Sequence, residues 1–281
     1  MSSLATRTAQ VTAQVTAQAV RPPRTGPFSV VRILRTVVVK SAAIVAFLAL
    51  WQAYPSLFPQ NAVWLPSFTT VLGALKDLAV SGDLWIHLQA SLTRSLSGFG
   101  LAILIAIPLG LLIGWYKPVA DLLSPLLELF RNTAALAILP VFILILGLGE
   151  ISKISLVLYS CTWPILLNTI AGVKGVDPLL VKSAKSMGLG PLRLFQKVVL
   201  PAAVPTIFTG IRLAGAFSIL VLIAAELVGA KEGLGFLIVN SQSNFAIPEM
   251  YAGILTTSIL GVVFNQALLG LERRFSTWRP Q

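Results

Sequence analysis

Long apolar runs, separated by short polar stretches, dominate this chain. The longer ones are near the 20 or so residues needed to cross the hydrocarbon of a bilayer. They predict six spans, over about residues 37–54, 92–116, 122–146, 154–173, 205–228 and 251–271. Lys40, Trp51 and Tyr54 lie at the ends of the first, as interfacial residues do. A loop with Pro55, Pro59 and Pro66 follows, then an amphipathic stretch over about 69–88. The third span should break near Arg131 to Thr133 and kink at Pro140. The pattern predicts an all-α integral membrane protein with six transmembrane helices.

One polar stretch differs from the rest. DPLLVKSAKSMGLGPLRLFQKVVLPAAVP, from Asp177 to Pro205, carries Lys182, Lys185, Arg193 and Lys197 against a single acid. A basic loop between spans belongs on the cytoplasmic side. Asp177 can cap a helix whose first residue is Pro178. Leu180, Ala184 and Met187 then share one face. Gly188 and Gly190 can end that helix, and Pro191 can begin a second short one that stops at Pro201. A short helix pair on a cytoplasmic loop is a docking surface for a soluble partner. Placing both termini inside puts fifteen of the 21 Lys and Arg residues in the cytoplasm, with only Lys76, Lys153 and Lys231 outside. That bias fixes the orientation.

The second span carries Gly98, Ala102, Ala106, Gly110 and Gly114 at four-residue intervals, a stripe on which another helix can approach closely. Gly210, Ala214 and Ser218 form a shorter stripe in the fifth span. Such stripes suit either a moving interface at a pore or dimer, or static bundle packing. Polar side chains within spans must face protein or water. Arg94, Arg131, Asn132, Trp163, Asn168 and Ser218 are therefore the candidates for a translocation pathway. Glu128 and Arg131, three residues apart, can pair. Arg212 can snorkel or pair near an interface. Glu226, at the outer end of the fifth span, and Glu232 are candidates for docking an external protein.

Composition narrows the function. The 281 residues are 56% hydrophobic and 11% charged, with a mean hydropathy of +0.86. These values lie outside the range of soluble domains. The net charge of +11 is spread over tail and loops, without a basic helix interleaved with aromatics, so nucleic-acid binding is not indicated. The one cysteine, Cys161, and the one histidine, His87, exclude an intrachain disulfide and leave no metal site. Cys161, in an apolar run, reads as a core residue. No phosphate-binding G-x-x-x-x-G-K-[ST] loop occurs, so nucleotide binding is not expected of this chain, and no cofactor is called for. Nor is a Ser-His-Asp arrangement suggested, so an enzyme is not expected. Residues 1–35, with TAQV repeated from Thr8, read as a flexible basic cytoplasmic tail, 36–275 as the membrane domain and 276–281 as a C-terminal tail.

The spacing of the basic loop resembles the EAA loop of permease subunits of bacterial ABC importers. Lys182, Ser183 and Ala184 hold the positions of Glu-Ala-Ala, Gly188 follows after three residues, and Val198-Val199-Leu200-Pro201 after nine more. Lys182 replaces the usual acid and Ser183 the first Ala. LPSFTTVLGAL from Leu65, SLTRSLSGFGLAILIAIPLGLLIG from Ser91, LPVFILILGLGEISKISLV from Leu139, PILLNTIAGVKGVDP from Pro164 and ELVGAKEGLGFLI from Glu226 are similar to the nitrate, sulfonate, taurine and bicarbonate permeases. Thr133-Ala134 stands where that family often has a proline pair. The resemblance, over about residues 65–278, implies a type I importer (MetI-like) fold in the bacterial inner membrane. It implies a permease dimer, two ABC ATPase subunits and an extracytoplasmic substrate-binding protein as partners. It also implies that Lys182, Ser183, Ala184, Met187, Gly188, Leu200 and Pro201 couple the permease to its ATPase. The small anion would be a sulfonate, taurine, nitrate or bicarbonate. The rival reading is a secondary transporter or channel driven by an ion gradient, which an inverted repeat or a charged relay across the spans would favour. Neither is visible.

Overall fold

The computed structural model describes the backbone of residues 28–275 and the side chains of residues 42–274. Of the expected tails, residues 1–27 and 276–281 lie outside the described residues, whereas residues 28–35 are not a loose tail but the first turns of a helix. Every regular element among those described is helical. Helix α1, Phe28–Leu57, belongs to a unit of its own that ends at Pro59, and is apolar over Ala42–Leu57. The second unit, from Gln60, begins with α2 (Phe68–Ser81), capped by Ser67 Oγ, which accepts from Thr70 N. Gly82, at φ +92°, turns the chain directly into α3 (Asp83–Trp115). The second span thus starts nine residues earlier than the hydropathy pattern implied, because its first turns are amphipathic.

The third span is broken. Helix α4 (Lys117–Arg131) ends at Asn132, a 3₁₀ turn covers Ala135–Ile138, and α5 runs over Leu139–Leu146. The two halves are bent by 85°. The break falls at the expected residues, but Pro140 does not kink a helix. It occupies the first turn of α5, where no N–H is needed. Helix α6 (Glu150–Lys174) has an acid in its first turn and a lysine in its last, matching the helix dipole.

The basic loop forms α7 (Pro178–Ser186), with the Asp177 carboxylate accepting from Leu179 N at 2.8 Å. Gly188, at φ +77°, ends it, and Leu189 N donates back to Ala184 O. Ala184 is buried, whereas Leu180 and Met187 of the same face stay exposed. The second short helix, α8 (Pro191–Leu194), does not stop at Pro201. It continues through one π-helical segment, Phe195–Val199, into α9 (Leu200–Glu226). The π segment shifts the bonding to i−5, as from Leu200 N to Phe195 O, just before Pro201, which has no N–H to donate. The short α10 (Leu234–Ser243) and α11 (Ile247–Phe275) complete the fold.

Among the described residues four stretches are long and apolar enough to span a membrane: α3, α6, the continuous run Pro191–Glu226, and α11. The bent pair α4–α5 makes a fifth, and the first expected span, 37–54, is not among them, since the described apolar part of α1 is only Ala42–Leu57. Helix α6 lies in the middle of its unit, between α3 and α9. The glycines of the α3 stripe meet its side chains directly, with none of their own between. A Cβ at Gly98 would lie 2.7 Å from Val157 Cβ, one at Gly110 2.6 Å from Thr169 Cβ, and one at Gly114 2.7 Å from Val173 Cβ. The stripe of α9 does the same on the opposite side, where a Cβ at Gly210 would lie 2.7 Å from Asn168 Cβ. Both stripes therefore serve packing inside one chain. Ala102, Ala106, Val157, Cys161 and Ile165 are fully buried between them, and Phe99 meets Phe264 of α11 edge-on at 5.6 Å.

Candidate functional site

Three places bring chemistry-bearing side chains together. The first is a buried ionic cluster where the start of α6, the end of α9 and the first half of α3 converge. Arg94, only 4% exposed, donates from Nη2 to Glu150 Oε1 at 2.7 Å and from Nε to the other oxygen. Its Nη1 donates to Glu226 Oε1 at 2.7 Å and to the Glu232 carbonyl at 2.6 Å. The Glu226 carboxylate is buried, and accepts also from Ser91 Oγ and from Gly235 N at 3.0 Å. Ser91 Oγ in turn accepts from Leu234 N, and His87 Nδ1 from Gly233 N. Lys153, also buried, donates to the Leu148 and Gly149 carbonyls. A buried carboxylate is tolerable only with such full compensation.

The segment from Glu226 to Gly235 is built for this. Gly233 has φ +122°, and a Cβ there would run into the Glu226 carboxylate. A Cβ at Gly235 would come 2.5 Å from the Ile223 carbonyl oxygen. Both glycines let the chain fold back over the acid. Arg94 and Glu226, expected at two different sites, are thus partners, and Glu226 is not on the outer surface. Glu232 joins through its backbone carbonyl. Glu150, the second partner of Arg94, was not a candidate from the sequence. Its only signal was an acid opening a helix after Gly149, and nothing linked it to an arginine 56 positions earlier.

The second place is the helix break after α4. Asn132 Nδ2 donates to Glu128 O, Thr133 Oγ1 to Leu129 O, and Tyr159 OH to Phe130 O. The last carbonyls of α4 are therefore covered. Arg131 is exposed and, among the described residues, in no ion pair, so the expected pairing with Glu128 does not form. Trp163 stacks on Phe130 at 6.0 Å and 10° and meets Tyr159 edge-on. Its indole Nε1 is buried without a hydrogen-bond partner. A recess of about 330 Å³ opens here, lined by residues that include Arg131, Ser160 and Trp163. The remaining pathway candidates are elsewhere occupied. Asn168 Nδ2 donates to Pro164 O of its own helix, and Ser218, fully buried, bonds Ser95 at 3.1 Å across the α3–α9 contact. Arg212 pairs with Glu272 at 3.2 Å. Cys161 donates to Ala214 O from a buried position.

The third place is the loop itself. Leu179, Leu180, Met187 and Leu192 are exposed apolar residues on the α7–α8 pair, which also carries Lys182, Lys185 and Arg193. Among the described residues no cluster of His, Cys, Asp and Glu could hold a metal ion.

The chain is similar to known proteins in sequence and in fold. The chain is 32% identical over 252 residues to the taurine transport system permease protein TauC of Escherichia coli, covering 88% of this chain and 92% of that one. It is 32% identical over 241 residues to the nitrate import permease protein NrtB of Synechocystis, covering 83% and 86%. In fold it is similar to a chain of the MetNI methionine ABC transporter in an inward facing conformation, with a TM-score of 0.58 at 18% identity, over 67% of this chain and 94% of that one. The family described as binding-protein-dependent transport system inner membrane component matches residues 98–277. This chain, whose described part has the broken third span and long packed helices set out above, belongs to that family.

Proposed function

We propose that this chain is the membrane-spanning permease of an ATP-driven importer for a small anion of the sulfonate, taurine, nitrate or bicarbonate class. ATP hydrolysis takes place on two separate ABC ATPase subunits, so the permease is not itself an enzyme. A second copy of the chain completes the pathway, and an extracytoplasmic binding protein delivers the solute. Both termini and the 177–201 loop face the cytoplasm. The observation that carries this reading is the capped helix pair α7–α8, joined without a loop to α9. A displacement imposed on that pair by a closing ATPase enters a transmembrane helix directly.

Lys182, Ser183, Met187 and Gly188 form the ATPase contact, buried Ala184 seats their helix on the fold, and Leu200 and Pro201 are the joint to α9. Arg131, Asn132 and Trp163, at the break, face the solute. Asn168 and Ser218 set the packing of the helices that bound its path. Arg94 and Glu226 close the outer end, and Glu232 next to them receives the binding protein. Alternating access then moves the solute between the two sides.

Reconstitution in liposomes tests the proposal. The permease alone, under a proton or sodium gradient, should move no sulfonate, nitrate or bicarbonate. Adding the ATPase, the binding protein and ATP should start uptake. Gradient-driven uptake by the lone chain would overturn the importer reading and favour a secondary transporter.

A further inference from the structure

The recess at the helix break has the makings of a site in its own right. A helix C-terminus ordinarily repels an anion, because its last carbonyls carry partial negative charge. Here three side chains from Asn132, Thr133 and Tyr159 already donate to the carbonyls of residues 128, 129 and 130. The negative pole is covered, and Arg131 beside it has no carboxylate partner among the described residues. The Ser160 hydroxyl, on the α6 wall of the recess, makes no hydrogen bond among the described residues. Trp163 lines the same wall with its ring, stacked on Phe130. The rest of the lining is apolar, with Leu136, Phe217 and Leu220.

We propose that this recess is a recognition site of the permease itself for an organic anion: an oxyanion head on Arg131 and Ser160, and an apolar body against Trp163 and Phe217. A volume of about 330 Å³ is far larger than nitrate or bicarbonate, neither of which has an apolar surface to bury. It lies within the size range of small-molecule sites, about 300 Å³ upward. The inference rests on the importer reading and narrows it to organic acids such as sulfonates.

Titration calorimetry on the full chain in phosphatidylcholine nanodiscs, without a binding protein, tests it with benzenesulfonate, methanesulfonate and sodium nitrate. Benzenesulfonate should bind, methanesulfonate more weakly, and nitrate should not compete. Arg131→Gln should weaken benzenesulfonate by about 10- to 100-fold, the worth of a hydrogen bond to a charged group. Trp163→Ala, which removes the ring that the apolar body rests against, should also weaken it. Ala134→Phe should fill the recess and abolish binding. Nitrate binding as tightly as benzenesulfonate would overturn the proposal, as would full affinity in Arg131→Gln. Loss of benzenesulfonate binding in nanodiscs containing phosphatidylglycerol would assign Arg131 to lipid phosphate and overturn it too. Absent nanodisc binding alongside ATP-driven sulfonate uptake in the reconstituted system would sink the recess and spare the importer. Nanodisc binding that responds to Arg131→Gln, without any ATP-driven uptake, would do the reverse.

Discussion

Arg94→Met should be among the most damaging single changes in the membrane domain. The guanidinium donates to both oxygens of Glu150, to Glu226 and to the Glu232 carbonyl. Its side chain is 5% exposed and that of Glu226 is 0% exposed. After the change Glu226 keeps Ser91 and the Gly235 N–H but loses the only cation that contacts it among the described residues. Removing one partner of a buried pair typically costs about 3 to 5 kcal/mol, mostly the penalty of the charge left behind. Glu150→Gln provides the contrast. The Glu150 side chain is 60% exposed, so water replaces much of what is lost and the cost should be about 0 to 1 kcal/mol. Arg94→Met combined with Glu226→Met removes both buried charges, and should recover much of the loss because apolar replacement of a whole pair is often neutral. Thermal melting of the purified permease in detergent ranks the three: Glu150→Gln near the parent, the double variant next, Arg94→Met lowest. Equal melting of Arg94→Met and Glu150→Gln would refute the claim that burial makes Glu226 depend on Arg94.

Ala106→Leu places added atoms between α3 and α6, where Ala106 is fully buried, and should cost about 1 to 3 kcal/mol and stop transport; full uptake with an unchanged melting temperature would contradict the packing. Gly188→Asp must hold φ near +77°, at a cost of about 1 to 2 kcal/mol, and adds a charge to the docking face. It should insert in the membrane yet lose ATPase association, and normal substrate-stimulated hydrolysis would count against the docking assignment. Lys182→Glu should weaken coupling only modestly, by about 0 to 1 kcal/mol, since the loop is exposed; tighter assembly would mean that the partner groove is basic.

Periodicity and loop chemistry made several features legible in advance. The Asp177 cap, the left-handed Gly188, the break after Arg131 and the close approach at Gly98, Gly110 and Gly210 all rest on local residue types with few alternatives. Pro201 misled because a proline alone reads as a stop, whereas a π segment ahead of it can absorb the missing donor. A shared face for Leu180, Ala184 and Met187 says which residues lie together, not which are covered: Ala184 is buried and the other two are exposed. The Arg94–Glu150–Glu226 cluster was not legible. Glu150 and Glu226 lie 56 and 132 positions from Arg94 along the chain, and nothing in the residues around any one of them points to the others. Only the packing of α3 and α9 on either side of α6 brings them together.

The thinness of the seams between α6 and its two neighbours has a mechanical meaning. Glycine on one side of each contact leaves only one layer of short side chains and little compliance, so α3, α6 and α9 tilt together as one lever. Gly210, where α9 crosses α6 against the Pro164 carbonyl, is its natural fulcrum. From there to Glu226 the helix extends about 24 Å at 1.5 Å per residue. A tilt of about 10° would therefore swing the ionic cluster by about 4 Å, more than a hydrogen-bond length. A nudge too small to disturb any packed contact is then enough, at the far end of the arm, to separate whatever the cluster rests against.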